Sequence, residues 1–350
     1  MPQETQSPLV SIIMPVRNEA SYIAQSLNSI AAQSYPRDRI QVLVVDGMSD
    51  DRTRDLASEA ALSTGLDLEI LDNPGKIAPS ALNVGLDHAK GEIIVRVDGH
   101  CELGPEYVRS CVDLLQSQRA DGVGGPIETV GVGFVAKSIA IAMSSTFGVG
   151  GSAFRTINDR ELYTDTVAFP GYTRGVIRKA GRFNEELVRN QDDEYNFRIR
   201  ELGGRILLSP RIRSRYYSRS SLKSLWRQYF QYGYWKVRVL QLHPRQMCAR
   251  QFVPFVFVLT ILVLGLAGFF STVALVALIA VLGLYFVANF VASVVAAREN
   301  LLQTPVIMLS FLILHISYGL GSLFGLVAFW NKWSDGESTS QRAHLNKPPS

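Results

Sequence analysis

Short apolar runs alternate with amphipathic stretches through the first 210 residues. Runs rich in Val, Ile and Leu predict strands at residues 9–16, 40–46, 67–71, 92–98, 122–130 and 205–208. Helical spacing of apolar positions predicts helices at 19–34, 51–64, 78–90, 106–117 and 184–202, and residues 167–180 predict a strand, a turn and a short helix. This alternation predicts an α/β domain with a mostly parallel, Rossmann-like sheet, flanking helices and right-handed crossovers.

Two of the predicted strands end on an aspartate that precedes a glycine. Asp46 ends the run that begins at Gln41, and Asp98 ends the run that begins at Glu92. A buried parallel strand delivers such a carboxylate to its C-terminal end, where open α/β sheets bind their ligands. The pair therefore predicts a site for a ligand that carries a metal, a ribose or phosphates.

The pattern changes after residue 210. A helix with aromatic and basic residues is predicted at 221–242, followed by three apolar segments at 252–270, 273–296 and 304–330. Each segment is long enough to cross a bilayer, which needs roughly 20 apolar residues. An earlier apolar run at 133–153 is interrupted by glycine and serine, which favours a buried element or an interfacial helix. Gly319, Gly321 and Gly325 predict either close helix packing or a bend.

Charge follows the same division. The net charge is only +4, but residues 211–250 hold ten lysine and arginine residues and no acidic residue, and residues 251–330 hold only Arg298 and Glu299. A basic segment beside a hydrophobic one fits anionic lipid on the cytoplasmic side and argues against a nucleic-acid-binding protein. The predicted domains are 1–210, a basic interface segment at 211–250, a transmembrane region of about three helices at 251–330, and a polar tail at 331–350.

The cysteines and the first residues indicate the compartment. Cys101, Cys111 and Cys248 show no C-x-x-C spacing, so neither a disulfide framework nor a zinc site is expected, which fits a reducing compartment. Residues 1–10 are polar and lack the basic and apolar regions of a signal peptide. The expectation is an integral membrane protein whose globular domain lies in the cytoplasm.

Several motifs in register resemble family 2 glycosyltransferases of the GT-A fold, over about residues 8–240. They are Val10-Ser-Ile-Ile-Met-Pro-Val-Arg-Asn-Glu19, Val44-Val-Asp-Gly-Met-Ser-Asp-Asp-Arg-Thr53, Ala81-Leu-Asn-Val-Gly85, Val97-Asp-Gly-His100, Gly181-Arg-Phe-Asn-Glu185 and Gln191-Asp-Asp-Glu194 with Arg198-Ile-Arg200. The apolar C-terminal region and the segment 227–236 are similar to the succinoglycan-type subgroup, which builds bacterial exopolysaccharide on a lipid carrier.

The resemblance implies a nucleotide-sugar donor site at the ends of the first strands. Asp46 would bond the uracil ring, although a helix cap after the strand is about as common at such a turn. Pro15, Arg17 and Glu19 would line the same edge, with Glu19 bonded either to the ribose hydroxyls or to Arg17. Asn83 would contact the nucleotide or the acidic pair, against the alternative of a polar residue on a helix face.

Asp98-Gly99-His100 stands where the family carries its Asp-x-Asp metal motif. The resemblance implies a divalent cation, Mg²⁺ or Mn²⁺, that offsets the charge of the departing diphosphate. Here His100 replaces the second aspartate, and an imidazole ligand favours Mn²⁺. The alternative for His100 is a histidine that only bonds within its loop.

Gln191-Asp192-Asp193-Glu194 falls where the family carries its Glu-Asp pair. The resemblance implies that Asp192 is the general base, with Asp193 as the second candidate and Gln191 in place of the usual glutamate. The simpler interpretation is an acidic helix face that pairs with Arg198 and Arg200 at helical spacing. That interpretation explains Asp193 or Glu194 well.

The predicted helix 221–242 carries candidate acceptor residues: Arg227, Gln228, Trp235 and Lys236. They would hold the acceptor or its diphosphate, whereas aromatic and basic residues on such a helix most often anchor it at a membrane surface. The Arg-Trp pair of processive synthases is absent, so the resemblance does not extend to processive polymer synthesis.

The resulting hypothesis is an inverting, metal-dependent transfer of a sugar from a UDP-sugar, such as UDP-glucose, to a polyprenyl-diphosphate-linked saccharide. Residues 1–210 would be the catalytic domain, on the cytoplasmic side of a bacterial inner membrane. The alternative within the family is transfer to a polyprenyl phosphate, which needs no general base. A nucleotide-dependent dehydrogenase has only the weak run from Gly131 to Ala136 in its favour. A transport or scaffold subunit would leave the acidic residues without a role.

Overall fold

The structure, a computed structural model, describes residues 7–117, 119–218 and 220–333. The chain forms two compact units. Unit 1 comprises Met1–Glu128 and Ile157–Tyr216, and unit 2 comprises Thr129–Thr156 and Tyr217–Ser350. Of the predicted polar tail 331–350, the residues beyond Trp333 lie outside the described part of the chain.

The strands of the described residues are β1 Val10–Val16, β2 Ile40–Asp46, β3 Leu68–Asp72, β4 Ile93–Arg96, β5 Cys101–Leu103, β6 Gly122–Gly125, β7 Ile127–Val130, β8 Leu162–Tyr163, β9 Ala168–Thr173, β10 Ile206–Leu208 and β11 Ser214–Tyr217. The helices are α1 Ile23–Ala31, α2 Thr53–Thr64, α3 Ala78–His88, α4 Tyr107–Gln116, α5 Phe134–Met143, α6 Thr146–Val149, α7 Ala153–Thr156, α8 Arg174–Ala180, α9 Gln191–Glu201, α10 Leu222–Leu242, α11 Val253–Ala267, α12 Thr272–Ala296 and α13 Thr304–Ala328.

Unit 1 is built on an eight-stranded sheet with the order β3-β2-β1-β4-β9-β6-β10-β8. The first four strands are mutually parallel, β6 and β10 are parallel, and β9 runs antiparallel to both β4 and β6. β1 and β2 form the centre of the core: Ile12, Met14, Val42 and Leu43 are fully buried. Strands buried on both faces read as continuous apolar runs, which is why their positions could be predicted closely. The predicted α/β class with a mostly parallel sheet is confirmed.

Two predicted elements of unit 1 were wrong in extent. The strand expected at 122–130 is two strands, because Pro126 lies between them and lacks the backbone N–H that a continuous ladder needs. β6 joins the large sheet, while β7 joins a small sheet with β5 and β11. The helix expected at 184–202 begins only at Gln191, since Asn190 adopts a left-handed backbone conformation that interrupts a helix.

Unit 2 contains the apolar helices. α12 and α13 are long and apolar enough to cross a membrane, and α12 is exposed along almost all of its surface. The segment expected at 252–270 forms the 15-residue helix α11, which is shorter than predicted and spans only about 22 Å of the roughly 30 Å hydrocarbon core. α5, from the apolar run 133–153, packs against α13.

α10 and α13 pack with their backbones in contact. A Cβ atom added to Gly233 would lie 2.0 Å from the Tyr318 carbonyl oxygen, and one added to Gly321 would lie 2.1 Å from that of Phe230. No side chain fits at these distances, so glycine is required at both positions. The glycines of the last helix therefore mark close packing, one of the two alternatives that their spacing predicts.

Candidate active site

The parallel strands β1 to β4 place their following loops at one edge of the sheet of unit 1. Register pairs Val16 with Asp46 and Asp46 with Asp72, so the three strands end at the same level. Gly47 donates its backbone N–H to the Val16 carbonyl (2.8 Å), which joins the loops after β1 and β2. Asp46 thus ends its strand at the shared edge, as predicted, whereas β4 ends at Arg96 and Asp98 lies two residues beyond it.

Backbone strain is concentrated at the same edge. Among the described residues, the non-glycine residues with positive φ are Asn18, Met48, Lys76, Phe169 and Asn190. The first three follow β1, β2 and β3. Phe169 lies beyond the carboxyl end of β4 on its antiparallel neighbour, and Asn190 precedes α9. Left-handed conformations cost free energy in residues with a side chain and cluster where function requires an exact geometry.

Asp46 is fully buried and its carboxylate is bonded within its own loop. It accepts hydrogen bonds from the Ser49 backbone N–H (3.1 Å) and hydroxyl (2.5 Å), and it pairs with Arg54 (3.2 Å). Arg54 also pairs with Asp72 at 2.6 Å. These contacts shape the turn between β2 and α2. Beside it, Arg17 is exposed and Pro15 is half-buried.

His100 and Glu19 form a pair at the end of β1. His100 Nδ1 lies 2.8 Å from Glu19 Oε1, and a carboxylate can only accept, so Nδ1 is the donor. In a neutral imidazole, this leaves the lone pair on Nε2. The His100 ring also packs 5.2 Å from that of Tyr216. The loop between Asp98 and His100 also runs close to β1 at Gly99. A Cβ atom at this glycine would lie 2.9 Å from Val16 Cγ1.

Arg96, the last residue of β4, joins the two most important candidates. Its Nη2 lies 2.6 Å from Asp98 Oδ1, and its Nη1 donates a short hydrogen bond to Asp192 Oδ2. The Arg96 side chain is 9% exposed, compared with 21% for Asp98 and 25% for Asp192. One guanidinium therefore brings together two carboxylates that are far apart in the sequence.

Burial raises the pKa of Asp192 to about 6. The neighbouring Arg96 cation lowers this pKa, while the negative charges of Asp98 and Asp193 raise it further. Because burial dominates, the carboxyl is ready to accept a proton close to neutral pH. A group with this property at the ligand-binding edge of a sheet is suited to general base catalysis.

The other acidic residues of α9 are distinguished by their partners. Glu194 is buried and forms a salt bridge with Arg198 one turn later (2.5 Å). Arg198 also donates to the carbonyl oxygens of Ala180 and Arg182, so this pair holds α9 against the preceding loop. The simpler interpretation of an acidic residue paired along the helix therefore applies to Glu194, whereas Asp192 faces Arg96.

Asn83, the buried candidate of α3, holds the segment before α9. Its side-chain oxygen accepts the Phe183 N–H (2.8 Å), and its amide group donates to the Phe183 carbonyl (3.0 Å) and to Glu185 Oε1 (2.7 Å). These bonds connect residues about one hundred positions apart and position the loop that leads to Asp192.

The candidate acceptor residues all lie on α10, in unit 2. Arg227 is exposed, Trp235 is half-buried, and Gln228 and Lys236 are buried. Gln228 Nε2 lies 2.9 Å from the Tyr232 hydroxyl, and the ring of Trp235 packs 5.5 Å from that of Phe329. Much of α10 is therefore occupied by packing against α13 within its own unit.

Two residues of the site were missed by the sequence analysis. Arg96 is a charged residue at the end of an apolar strand, and a buried charge must be paired, so its position was the available signal. Phe169 places its ring 5.7 Å from the Arg96 guanidinium carbon, and its carbonyl accepts a hydrogen bond from the Tyr107 hydroxyl. Nothing in the sequence indicates the left-handed conformation of Phe169.

Comparisons with known proteins agree with this geometry. The profile described as glycosyl transferase family 2 matches residues 11–182. A Methanococcus voltae protein is 28% identical over 231 residues, which cover 64% of this chain and 71% of that protein. It is named dolichyl N-acetyl-α-D-glucosaminyl phosphate 3-β-D-2,3-diacetamido-2,3-dideoxy-β-D-glucuronosyltransferase. The succinoglycan biosynthesis protein ExoA of Rhizobium meliloti is 29% identical over 245 residues, which cover 69% and 73%.

A solved structure supports the fold. A mannosyltransferase from Pyrobaculum calidifontis, in complex with GDP-Man and Mn²⁺, matches with a TM-score of 0.57 at 19% identity, over 91% of this chain and 88% of that chain. The predicted GT-A fold is confirmed. The family profile over residues 11–182 and the relatives named as glycosyltransferases show that the chain is an enzyme with a glycosyl transferase family 2 domain.

Proposed function

We propose that this glycosyltransferase moves a sugar from a nucleoside diphosphate donor to a polyprenyl-diphosphate-linked saccharide, with inversion at the anomeric carbon. The donor is a UDP-sugar, with UDP-glucose as the first to test, and the product is an intermediate of exopolysaccharide or another cell-surface glycan. The names of the two relatives, one acting on a dolichyl-linked sugar phosphate and one in succinoglycan biosynthesis, support a lipid-linked acceptor.

The observation that carries the proposal is the cluster of Asp98, Arg96 and Asp192. Asp98 lies at the end of β4, where the donor's diphosphate would bind, and Asp192 is held beside it by the same guanidinium. Inverting transfer needs a base on one side of the anomeric carbon and a stabilised leaving group on the other. Two acidic residues close together but with different environments suit these two roles.

The chemical step follows from these positions. Asp192 takes the proton of an acceptor hydroxyl while that oxygen forms a bond to the anomeric carbon. The bond between the anomeric carbon and the diphosphate oxygen breaks, and its electron pair leaves with the nucleoside diphosphate. Asp193 is the second candidate for the base, one residue further along α9. The mostly buried setting of the cluster limits competing attack by water.

Asp98 and His100 would hold a divalent cation. Because Nδ1 donates to Glu19, Nε2 of the neutral imidazole would be the ligand atom, and such a carboxylate behind a histidine is typical of metal sites. Within residues 7–117, 119–218 and 220–333, no group of three or more His, Cys, Asp and Glu residues could hold a metal. Two protein ligands fit Mg²⁺ or Mn²⁺, which commonly bind substrate phosphates as well, and the imidazole favours Mn²⁺. When bound, the cation offsets the negative charge of the departing diphosphate.

The donor's nucleoside would bind over the loops after β1 and β2. Asp46 is the candidate for the uracil ring, with Pro15 and Arg17 beside it. Ser49 and Arg54 already bond the Asp46 carboxylate, so binding of the uracil ring would require one of these contacts to be exchanged. Glu19 acts through His100, and Asn83 acts by fixing the loop before α9.

The acceptor lipid is expected to lie in the membrane beside the apolar helices. Two helices of sufficient length, α12 and α13, support an integral membrane protein of the bacterial inner membrane with unit 1 in the cytoplasm. Arg227 is the exposed candidate for the lipid diphosphate, and Gln228, Trp235 and Lys236 support the helix that carries it.

The direct test is turnover by the detergent-purified chain. A panel of nucleotide sugars is offered with a polyprenyl-diphosphate saccharide, with and without Mn²⁺, and release of nucleoside diphosphate is measured. Release that depends on both the acceptor and the cation is the expected result. Transfer to a polyprenyl phosphate that survives Asp192→Asn would favour the alternative acceptor, and absence of release with every donor would refute the proposal.

A further inference from the structure

The geometry of Arg96 assigns it more than an ion pair. Its two terminal nitrogens contact different carboxylates, Asp98 through Nη2 and Asp192 through Nη1. The guanidinium is planar and rigid, so a fork that contacts both carboxylates fixes the position of one relative to the other. β4 anchors the arginine, and through it the first turn of α9 is tied to the end of the strand.

The cluster leaves part of its hydrogen-bonding capacity unused. Arg96 Nε and Asp192 Oδ1 are both buried and have no hydrogen-bond partner among the residues that the structure describes. An unsatisfied buried donor or acceptor lowers stability, and each one in a folded protein calls for an explanation. The cluster is therefore not arranged for stability alone, and Asp192 Oδ1 is the oxygen available for a substrate hydroxyl.

Strained backbone supports the arginine from the other side. The ring of Phe169 lies 5.7 Å from the guanidinium carbon, and Phe169 is held at a φ of 46°. The Tyr107 hydroxyl donates a short hydrogen bond to the Phe169 carbonyl, and both residues are buried. A bulky residue keeps this conformation only where its surroundings impose it. The fold thus accepts strain in order to place a ring against Arg96.

We infer that Arg96 is a positioning residue of the transfer reaction, which holds the Asp192 carboxylate at the acceptor hydroxyl by bridging it to Asp98. This inference rests on the proposed role of Asp192 as the base. A structural ion pair would need only the positive charge of Arg96, whereas the positioning role also needs the planar guanidinium. Lysine supplies a point charge in place of the planar fork and reaches one carboxylate at a time.

The test compares Arg96→Lys and Arg96→Gln with the unmodified enzyme, using the detergent-purified full chain. kcat, the KM for the lipid-linked acceptor, UDP affinity by calorimetry and the dependence of kcat on pH are measured. Arg182→Gln is the matched control, since Arg182 pairs with Asp87 through two nitrogens but both side chains are more than half exposed.

Arg96→Lys is expected to lower kcat by about 10- to 100-fold, the usual effect of losing a hydrogen bond to a charged group, with the acceptor KM and UDP affinity little changed. Arg96→Gln should also move the acid limb of the pH profile to higher pH, because removal of the cation favours the protonated carboxyl. Asp98, Asp193 and Tyr172 also interact electrostatically with Asp192, and all three remain in place. Arg182→Gln should match the unmodified enzyme.

Unchanged kcat in Arg96→Lys, or an acid limb that stays in place in Arg96→Gln, would overturn the inference. Arg96→Lys keeps the test valid if Arg96→Gln does not fold, since lysine retains a cation between the carboxylates. Asp192→Asn distinguishes a failure of the proposed base from a failure of the inference about Arg96. If that variant keeps full activity, the proposed base is wrong; if it is inactive while the Arg96 variants are unaffected, only the inference about Arg96 fails.

Discussion

Two arginines in unit 1 each join two aspartates, and the two clusters differ mainly in the burial of the arginine side chain. Arg54 on α2 contacts Asp46 and Asp72 through one nitrogen, and its side chain is 42% exposed. Arg96 contacts Asp98 and Asp192 through two nitrogens and is 9% exposed. The chemical groups are the same, but the arginine is exposed in the first cluster, although Asp46 itself is fully buried, and it is buried in the second.

Burial changes what such a cluster can do. Near water, the attraction between a guanidinium and a carboxylate is largely offset by hydration, so the exposed pair of Arg54 and Asp72 has little effect on stability. The buried carboxylate of Asp46 is also bonded by Ser49. In the interior, ionised groups lose hydration and their protonation becomes sensitive to their neighbours. The pKa of Asp192 is accordingly raised by burial to about 6. We therefore expect a structural role for the cluster whose arginine is exposed, and we propose a catalytic role for the cluster whose arginine is buried.

The largest expected effect is on stability at the buried cluster. Arg96→Gln should lower the free energy of unfolding by about 3–5 kcal/mol near neutral pH, because two carboxylates then share the site without a cation. Thermal unfolding of the detergent-purified protein measures the change. The loss should shrink below about pH 6 as Asp192 becomes protonated. If the free energy of unfolding falls by less than about 1 kcal/mol, Arg96 contributes no more to stability than an exposed salt bridge does.

The second prediction concerns the carboxylates. Asp98→Asn should lower kcat by about 100-fold or more, because support for the leaving diphosphate is worth several kcal/mol. Calorimetric titration of Mn²⁺ with UDP present should also show weaker binding. Asp72→Asn, at the exposed cluster, removes a carboxylate that is 63% exposed and should leave Mn²⁺ binding unchanged. Equal effects of the two variants would contradict the distinction between the clusters.

The third prediction is the pH dependence of turnover. Asp192 must be ionised to act as a base, so activity should rise with pH through about 6 and fall to about one-tenth at about pH 5. The folded protein holds this proton more tightly than the unfolded chain does. The contribution of Asp192 to stability is therefore present at low pH and lost as the pH rises through about 6. A rate that stays constant down to about pH 4 would show that the base is a different group.

The smallest effect is expected at the exposed arginine. Arg54→Gln should change the free energy of unfolding by only about 0.2–1 kcal/mol, because the Arg54 side chain is 42% exposed and the buried Asp46 carboxylate keeps its hydrogen bonds from Ser49. Thermal unfolding under the conditions used for Arg96→Gln provides the comparison. A destabilisation as large as that of Arg96→Gln would mean that exposure does not decide the strength of these clusters.

Much of unit 1 could be predicted because local pattern and burial agree there. β2 matches the expected residues 40–46, since a strand buried on both faces is apolar throughout and ends at the carboxylate of Asp46. The start of α9 could not be predicted, because it depends on the left-handed backbone at Asn190 rather than on hydrophobic spacing. In unit 2, the length of α11 was overestimated because apolar composition does not mark where a helix ends.

The sequence predicts which loops meet at the candidate site better than it predicts the contacts between their side chains. The meeting of the loops after β1, β2 and β4 follows from parallel strand order. The pairing of His100 with Glu19, and the bridge from Arg96 to Asp192, join positions 81 and 96 residues apart. Such contacts depend on tertiary packing, which no local pattern records.

The identity of the base is tested most directly by comparing Asp192→Asn with Asp193→Asn, using the same nucleotide sugar and lipid-linked acceptor for both. The two residues are neighbours on α9, and Asp192 forms a salt bridge with Arg96. Asp192→Asn should lower kcat by about 10²- to 10⁴-fold while UDP binding is retained. Asp193→Asn should stay close to the unmodified rate. The reverse pattern, or full activity in Asp192→Asn, would contradict the assignment of Asp192 as the base.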